Sequence, residues 1–153
     1  MEHGAGLSRE YENYFDKILL DAPCCAEARF DTTDPKSFRY WSERKIKEMA
    51  YTQRILLRAA WHMLKHGGIL VYSTCTYAPE ENEVQLQRFL EHSPDAEIVK
   101  IELSGLQSAP LVSSFKNIVI SEQIKKNAFR IFPTSQVEGF FVAKMRKREE
   151  NVV

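Results

Sequence analysis

The chain has 153 residues, 44% of them hydrophobic and 27% charged, which is ordinary usage for one globular domain with a real core. Lys plus Arg balance Asp plus Glu, 21 against 21, so no global field draws nucleic acid and any such site must rest on local patches. Three cysteines, two of them adjacent, make no disulfide framework, and no apolar stretch reads as a signal region or a membrane span.

Residues 1–14 read as a loose lead-in, polar and glycine-bearing. Residues 15–20, FDKILL, read as a strand; the consecutive Ile18, Leu19 and Leu20 suggest cover on both faces. Pro23 stops ladder pairing, so Asp21 and Cys24 fall at the strand's carboxyl end. Residues 26–41 read as a loop in which Arg29, Lys36 and Arg39 interleave with Phe30, Phe38, Tyr40 and Trp41. Cations for phosphate and aromatics for base stacking suit single-stranded RNA; aromatics folded back on the core are the alternative.

Ser42 is placed to cap a long helix whose inward face carries Ile46, Met49, Ala50, Leu56, Leu57, Ala60 and Leu64, with Gly67 as a left-handed C-cap. Residues 69–74 form the next strand, parallel to the first, which makes a βαβ unit. Cys75 then stands at a second strand end, near a helix running from Pro79 to about His92 with Glu80 and Glu81 in its first turn and Leu86, Phe89 and Leu90 inward. A thiol in such a crevice can be activated as a nucleophile; a buried cysteine packing as a small hydrophobe is the bland reading.

Residues 97–103, EIVKIEL, alternate like a strand near a sheet edge. Residues 104–127 resist assignment beyond a short buried piece at Ile118, Val119 and Ile120. Residues 129–132 and 139–145 are two more strand patterns. The tail bears Lys144, Arg146, Lys147 and Arg148, read as a solvated basic terminus.

If the two parallel strands are neighbours, and the central pair of the sheet, Asp21, Cys24 and Cys75 meet in one crevice. Without a C-x-x-C or a nearby His pair, neither a metal nor a dithiol redox site is favoured.

FDKILLDAPCC, the helix with Gln53, GGILVYSTCTYAPEENE and the RIF-P and EGFFVAKM segments together resemble the second half of the Nop/Sun family of RNA cytosine carbon-5 methyltransferases, over residues 15–147. The resemblance implies an α/β fold: the C-terminal half of a Rossmann-like class I methyltransferase sheet, with parallel strands and antiparallel edge strands. Residues 148–153 would be a charged tail. The resemblance further implies Cys75 as the nucleophile, Cys24 as the cysteine that assists release, and Asp21 at the target base. It places Asp21 and Pro23 at the S-adenosylmethionine site, and Arg29, Lys36 and Arg39 towards rRNA or tRNA. No membrane and no metal are implied, and the expected compartment is the cytoplasm, or the nucleus or nucleolus in a eukaryote.

The sequence departs from that family's pattern. It lacks the glycine-rich donor loop, the acidic residue ending the second strand and the upstream lysine, and Cys25 replaces the usual Ser or Gly. The expectation is half a catalytic domain, a weak donor binder alone, completed by its missing N-terminal half or a partner chain. Cys25 could join an off-pathway disulfide with Cys24 or Cys75. The competing expectation is a non-catalytic module that keeps the fold for RNA or protein binding; a thiol-redox protein ranks behind both.

Overall fold

The computed structural model describes residues 10–149. Most of the expected lead-in and the last four residues of the tail therefore lie outside the described residues. Seven strands and three helices follow in chain order: β1 (Phe15–Asp21), α1 (Glu43–Met63), β2 (Leu64–Thr74), α2 (Glu83–His92), β3 (Ala96–Val99), β4 (Ser114–Phe115), β5 (Ile118–Val119), α3 (Glu122–Asn127), β6 (Phe129–Ile131) and β7 (Phe140–Lys147). The main sheet has the order β1-β2-β7-β3, with β6 also pairing β7, and β4-β5 form a separate hairpin.

β1 and β2 run parallel, with Leu20 opposite Tyr72 and Asp21 opposite Ser73. They are neighbours, as expected, but not the central pair. β2 and β7 are central, and β1 is an edge. The antiparallel strand β7 is likewise interior, inserted between β2 and β3. At that edge Ile18 and Leu20 are half-buried while Leu19 is 73% exposed, so β1 is not covered on both faces.

Ser42 caps α1, its hydroxyl accepting from the Lys45 N–H at 3.1 Å. The inward stripe of α1 holds Ile46, Ala50, Leu57 and Ala60, with the Ile46 and Leu57 side chains contributing about 1.5–3 kcal/mol each on burial. Gln53 occupies the centre of that stripe and is fully buried. The helix ends four residues before Gly67. Leu64, fully buried, turns extended at once and pairs with Phe15 in β2. Gly67, at φ +76°, lies instead where the β1–β2 register shifts between Phe15 and Lys17. Burial of Leu64 and its place in the ladder outweigh the capping signal of the glycine.

α2 starts at Glu83, not Pro79, because residues 79–82 form a buried turn. Tyr72 Oη donates to the Glu81 carbonyl at 2.7 Å, Thr74 Oγ1 to Asn82 Oδ1 at 2.6 Å, and Asn82 Nδ2 to the Thr76 carbonyl at 2.9 Å. Glu81, expected in the first turn of that helix, precedes it and is fully buried, as is Glu83 at its start. Leu86 and Phe89 point inward as expected, with Leu90 half-buried.

β3 is an edge strand as its alternation suggests, though it stops at Val99. Ile118 and Val119 form β5, and Ile120 is buried beside it. The basic tail is corrected at one position. β7 runs through Lys147, whose buried ammonium donates to Asn13 Oδ1 and to the Trp61 and Leu64 carbonyls at 2.8–3.1 Å. Lys147 is a structural cation that ties β7 to the end of α1. No described helix is long and apolar enough to cross a membrane.

Candidate active site

Asp21 ends β1 and Ser73 and Thr74 end β2, side by side at the carboxyl ends of two parallel strands. Ser73 Oγ donates to Asp21 Oδ1 at 2.9 Å, which fixes the aspartate at the rim while leaving the residue exposed. The Ala22 N–H continues the ladder to the Ser73 carbonyl at 3.0 Å. Pro23, exposed, then turns the chain so that Cys24 faces Cys75. The two Sγ atoms are 3.2 Å apart, and the Cys75 N–H donates to Cys24 Sγ at 3.3 Å.

The loops that carry these thiols are held from beneath and from the side. Gln53 Nε2, projecting from α1, donates to the Pro23 carbonyl at 2.8 Å and to Glu81 Oε2 at 2.6 Å. Glu81 Oε2 also accepts from the Cys25 N–H at 3.2 Å. Beside them the Glu27 carboxylate bridges three groups. It accepts from Thr76 Oγ1 at 3.1 Å, the Tyr77 N–H at 3.0 Å and Trp41 Nε1 at 2.7 Å. The Ala28 N–H donates to the Cys75 carbonyl at 3.1 Å. Gln53 carried only a motif signal, while Glu27 carried none; an acid in a loop has no periodicity to reveal an inward contact. Gly139 completes the wall, since a Cβ there would overlap the Tyr77 ring.

Burial acts on two of the thiols and on a carboxyl beside them. Burial, and after it the hydrogen bond with Cys75, pushes the Cys24 thiol up to about 12, so Cys24 keeps its proton at neutral pH. Burial, then the neighbouring Glu81, pushes Cys25 up as well. Burial also raises Glu81 above the usual carboxylate range.

The cationic loop is placed differently from the thiols. Arg29 Nε pairs with Glu138 at 2.7 Å, both side chains exposed. Arg39 stacks its guanidinium 4.3 Å from the Tyr40 ring centroid, and Lys36 lies on an exposed turn capped by Asp34. Phe30 and Phe38 pack on each other at 5.9 Å, whereas Tyr40 is 75% exposed. Phe38, Tyr40 and Trp41 are exposed, so these three aromatics do not fold back on the core.

A parallel pair followed by an antiparallel strand inserted beside it, with site residues at the parallel carboxyl ends, defines part of a Rossmann-like methyltransferase sheet. The chain belongs to the 16S rRNA methyltransferase RsmB/F family, whose model it matches over residues 5–146. It is 38% identical over 148 residues to the tRNA (cytosine(49)-C(5))-methyltransferase of Pyrococcus abyssi, covering 96% of this chain and 46% of that protein. It is 41% identical to the ribosomal RNA small subunit methyltransferase F of Aliivibrio fischeri, covering 87% of this chain and 26% of the relative. The chain thus spans between a quarter and a half of the length of these relatives. Among solved structures it resembles a methyltransferase homolog protein from Pyrococcus horikoshii, with TM-score 0.73 and 36% identity over 96% of this chain and 43% of the other. NSun6 from the same organism, solved with SFG, gives TM-score 0.71 and 30% identity over 98% of this chain and 34% of the other.

Proposed function

We propose that this chain is the thiol-bearing part of an S-adenosylmethionine-dependent RNA cytosine carbon-5 methyltransferase acting on rRNA or tRNA. The observation that carries the reading is the 3.2 Å approach of Cys24 and Cys75 at adjacent strand ends, with Asp21 beside them. A binding module has no use for two juxtaposed thiols.

Carbon 5 of cytosine is a poor nucleophile. Addition of the Cys75 thiolate to carbon 6 converts the ring to an enamine, whose electron pair sits at carbon 5. S-adenosylmethionine supplies the methyl group when bound. Water takes the carbon-5 proton, the C–H electron pair reforms the 5,6 double bond, and the carbon 6–sulfur bond breaks so that Cys75 leaves as a thiolate. Cys24, protonated and in contact with Cys75, is the group poised to manage the proton at that sulfur and so to assist release. Asp21, anchored by Ser73 through Oδ1, keeps Oδ2 for the polar edge of a base turned out of its stack. The donor fits here only in part. Asp21 and exposed Pro23 offer one wall of its site, and the remainder must come from sequence of the kind that the longer relatives carry.

The test joins this chain to the donor-binding portion of the Pyrococcus abyssi relative and measures 5-methylcytidine in digested RNA by mass spectrometry. Methylation is expected with the parent and absent in Cys75→Ala; a fully active Cys75→Ala contradicts the reading.

A further inference from the structure

A cleft of about 270 Å³ opens between α1 and α2 and shares no lining residue with the thiol site. From α1 it takes Arg54 and Arg58, one helical turn apart and so on one face. From α2 it takes Gln85, Arg88 and His92, again on one face. Leu57 and Phe89 give it apolar walls. One carboxylate, Glu91, stands against three guanidinium groups there, and it accepts from Gln87 at 3.0 Å. None of the three arginines forms an ion pair among the described residues.

Two buried donors in this cleft lack partners. Gln85 is 2% exposed and its Nε2 has no hydrogen-bond acceptor, and the buried Nε of Arg54 has none either. Buried donors are rarely left so, and clustered arginines of one sign repel unless an anion joins them. Guanidinium groups match phosphate by paired N–H donors. His92 Nδ1 donates to the Arg88 carbonyl at 2.7 Å, so Nε2 donates to a phosphate only when the ring is protonated.

The cleft is also one end of a continuous path. Arg54 and Arg88 line a second groove together with Lys47 and Lys116. Those two lysines line a third, with Trp41 and Tyr77 and with the carboxylates of Glu27, Glu43 and Glu80. Lys116 there pairs with Glu80 at 3.0 Å. Tyr77 is two residues from Cys75, so the path reaches the edge of the thiol site. A small free anion needs one pocket; a polyanion threading to the reacting base needs a track.

We infer that the α1–α2 cleft binds a backbone phosphate of the RNA substrate, as the cationic far end of a groove that starts beside Cys75. This rests on the RNA reading of the proposed function and adds where the strand lies.

The experiment measures binding of a short, fluorescently labelled single-stranded RNA to the 153-residue chain by anisotropy, at several salt concentrations. Three proteins are compared: the parent, Arg58→Gln/Arg88→Gln, and Arg29→Gln/Lys36→Gln/Arg39→Gln. The inference expects the arginine double variant to lose about tenfold or more in affinity. Its salt slope should shrink by about 0.7, the value for one single-strand phosphate that is no longer neutralised. Arg58→Lys/Arg88→Lys, which keeps the charge, should retain most of the slope while losing part of the affinity. Unchanged affinity in the double variant, with the loop variant weakened, overturns the cleft and leaves the RNA reading standing. No RNA binding by the parent overturns both. Pyrophosphate raising the melting temperature of the parent but not of the double variant, with RNA binding equal in the two, assigns the cleft to a small anion and overturns the track. Neither Arg58 nor Arg88 has an ion-pair partner to lose, so melting temperatures without ligand are expected to match.

Discussion

Gln53 Nε2 donates to Glu81 Oε2 at 2.6 Å, and both residues are fully buried. The bond joins the middle of α1 to the turn before α2, and the Pro23 carbonyl and Cys25 N–H complete it. Gln53→Ala should therefore loosen the loop that presents Cys24. The cost is about 1–3 kcal/mol, as for a buried acceptor that loses its donor, and urea denaturation reads it. Gln53→Ala with an unchanged midpoint would mean that the bond does not hold the loop.

Glu81 also sets a pH dependence. Burial raises its carboxyl in the folded chain above the unfolded value of 4.5. The folded state then holds a proton that the unfolded state releases more readily. The stabilisation is complete below pH 4.5 and is lost as pH rises through the folded value. Glu81→Gln removes this term, so its stability relative to the parent should rise with pH from 4.5 upward. A difference between the two that is constant over that range contradicts the assignment.

Arg130 and Glu83 form an ion pair at 2.7 Å with side chains 8% and 0% exposed. Burial nonetheless raises the Glu83 carboxyl, with Arg130 opposing. Arg130→Ala leaves that carboxylate buried without its cation, which costs about 3–5 kcal/mol. Arg130→Met, carrying an apolar chain of similar length, does not repair the charge and should also be destabilised by denaturant titration.

Leu19 is exposed on β1, whose outer edge has no partner strand among the described residues. Such an edge invites pairing between copies. Leu19→Lys should suppress association measured by light scattering while changing stability by less than about 0.5 kcal/mol. Equal association of parent and variant would show that this edge is not the sticky one.

Cys24 and Cys25 are both pushed upward, Cys24 to about 12, chiefly by burial. At neutral pH each stays a thiol, and the thiolate is the reacting form. Iodoacetamide labelling followed by peptide mass spectrometry should find both slower than a free cysteine. Rapid labelling of Cys24 at neutral pH would contradict its role as proton holder.

Much of the site was legible because its signals are local. Ser42 reads as a cap, Pro23 as a strand stop, and the two strand ends place Asp21, Cys24 and Cys75 together. What was not legible depends on long-range burial. Gly67 looks like a helix cap, yet Leu64 has already entered the sheet beside Phe15. Glu81 looks like a helix-opening acid, yet it is buried and Gln53 reaches it from remote sequence; nothing local marks Glu83 as the buried partner of Arg130. Lys147 looks like tail charge, yet three acceptors from remote sequence surround it. β1 looks doubly covered because a run of three apolar residues does not reveal that Leu19 faces outward.

The central claim is the division of labour between two sulfurs 3.2 Å apart. Its direct measurement is denaturing electrophoresis of protein with RNA, in the enzyme completed by its donor-binding part. Cys24→Ala should attack and methylate but release poorly, so a covalent protein–RNA adduct accumulates. Cys75→Ala should give neither methylation nor adduct, since no thiolate remains to attack carbon 6. An adduct trapped by Cys75→Ala and absent in Cys24→Ala would reverse the roles, and methylation unchanged in both variants would make the pair a packing contact.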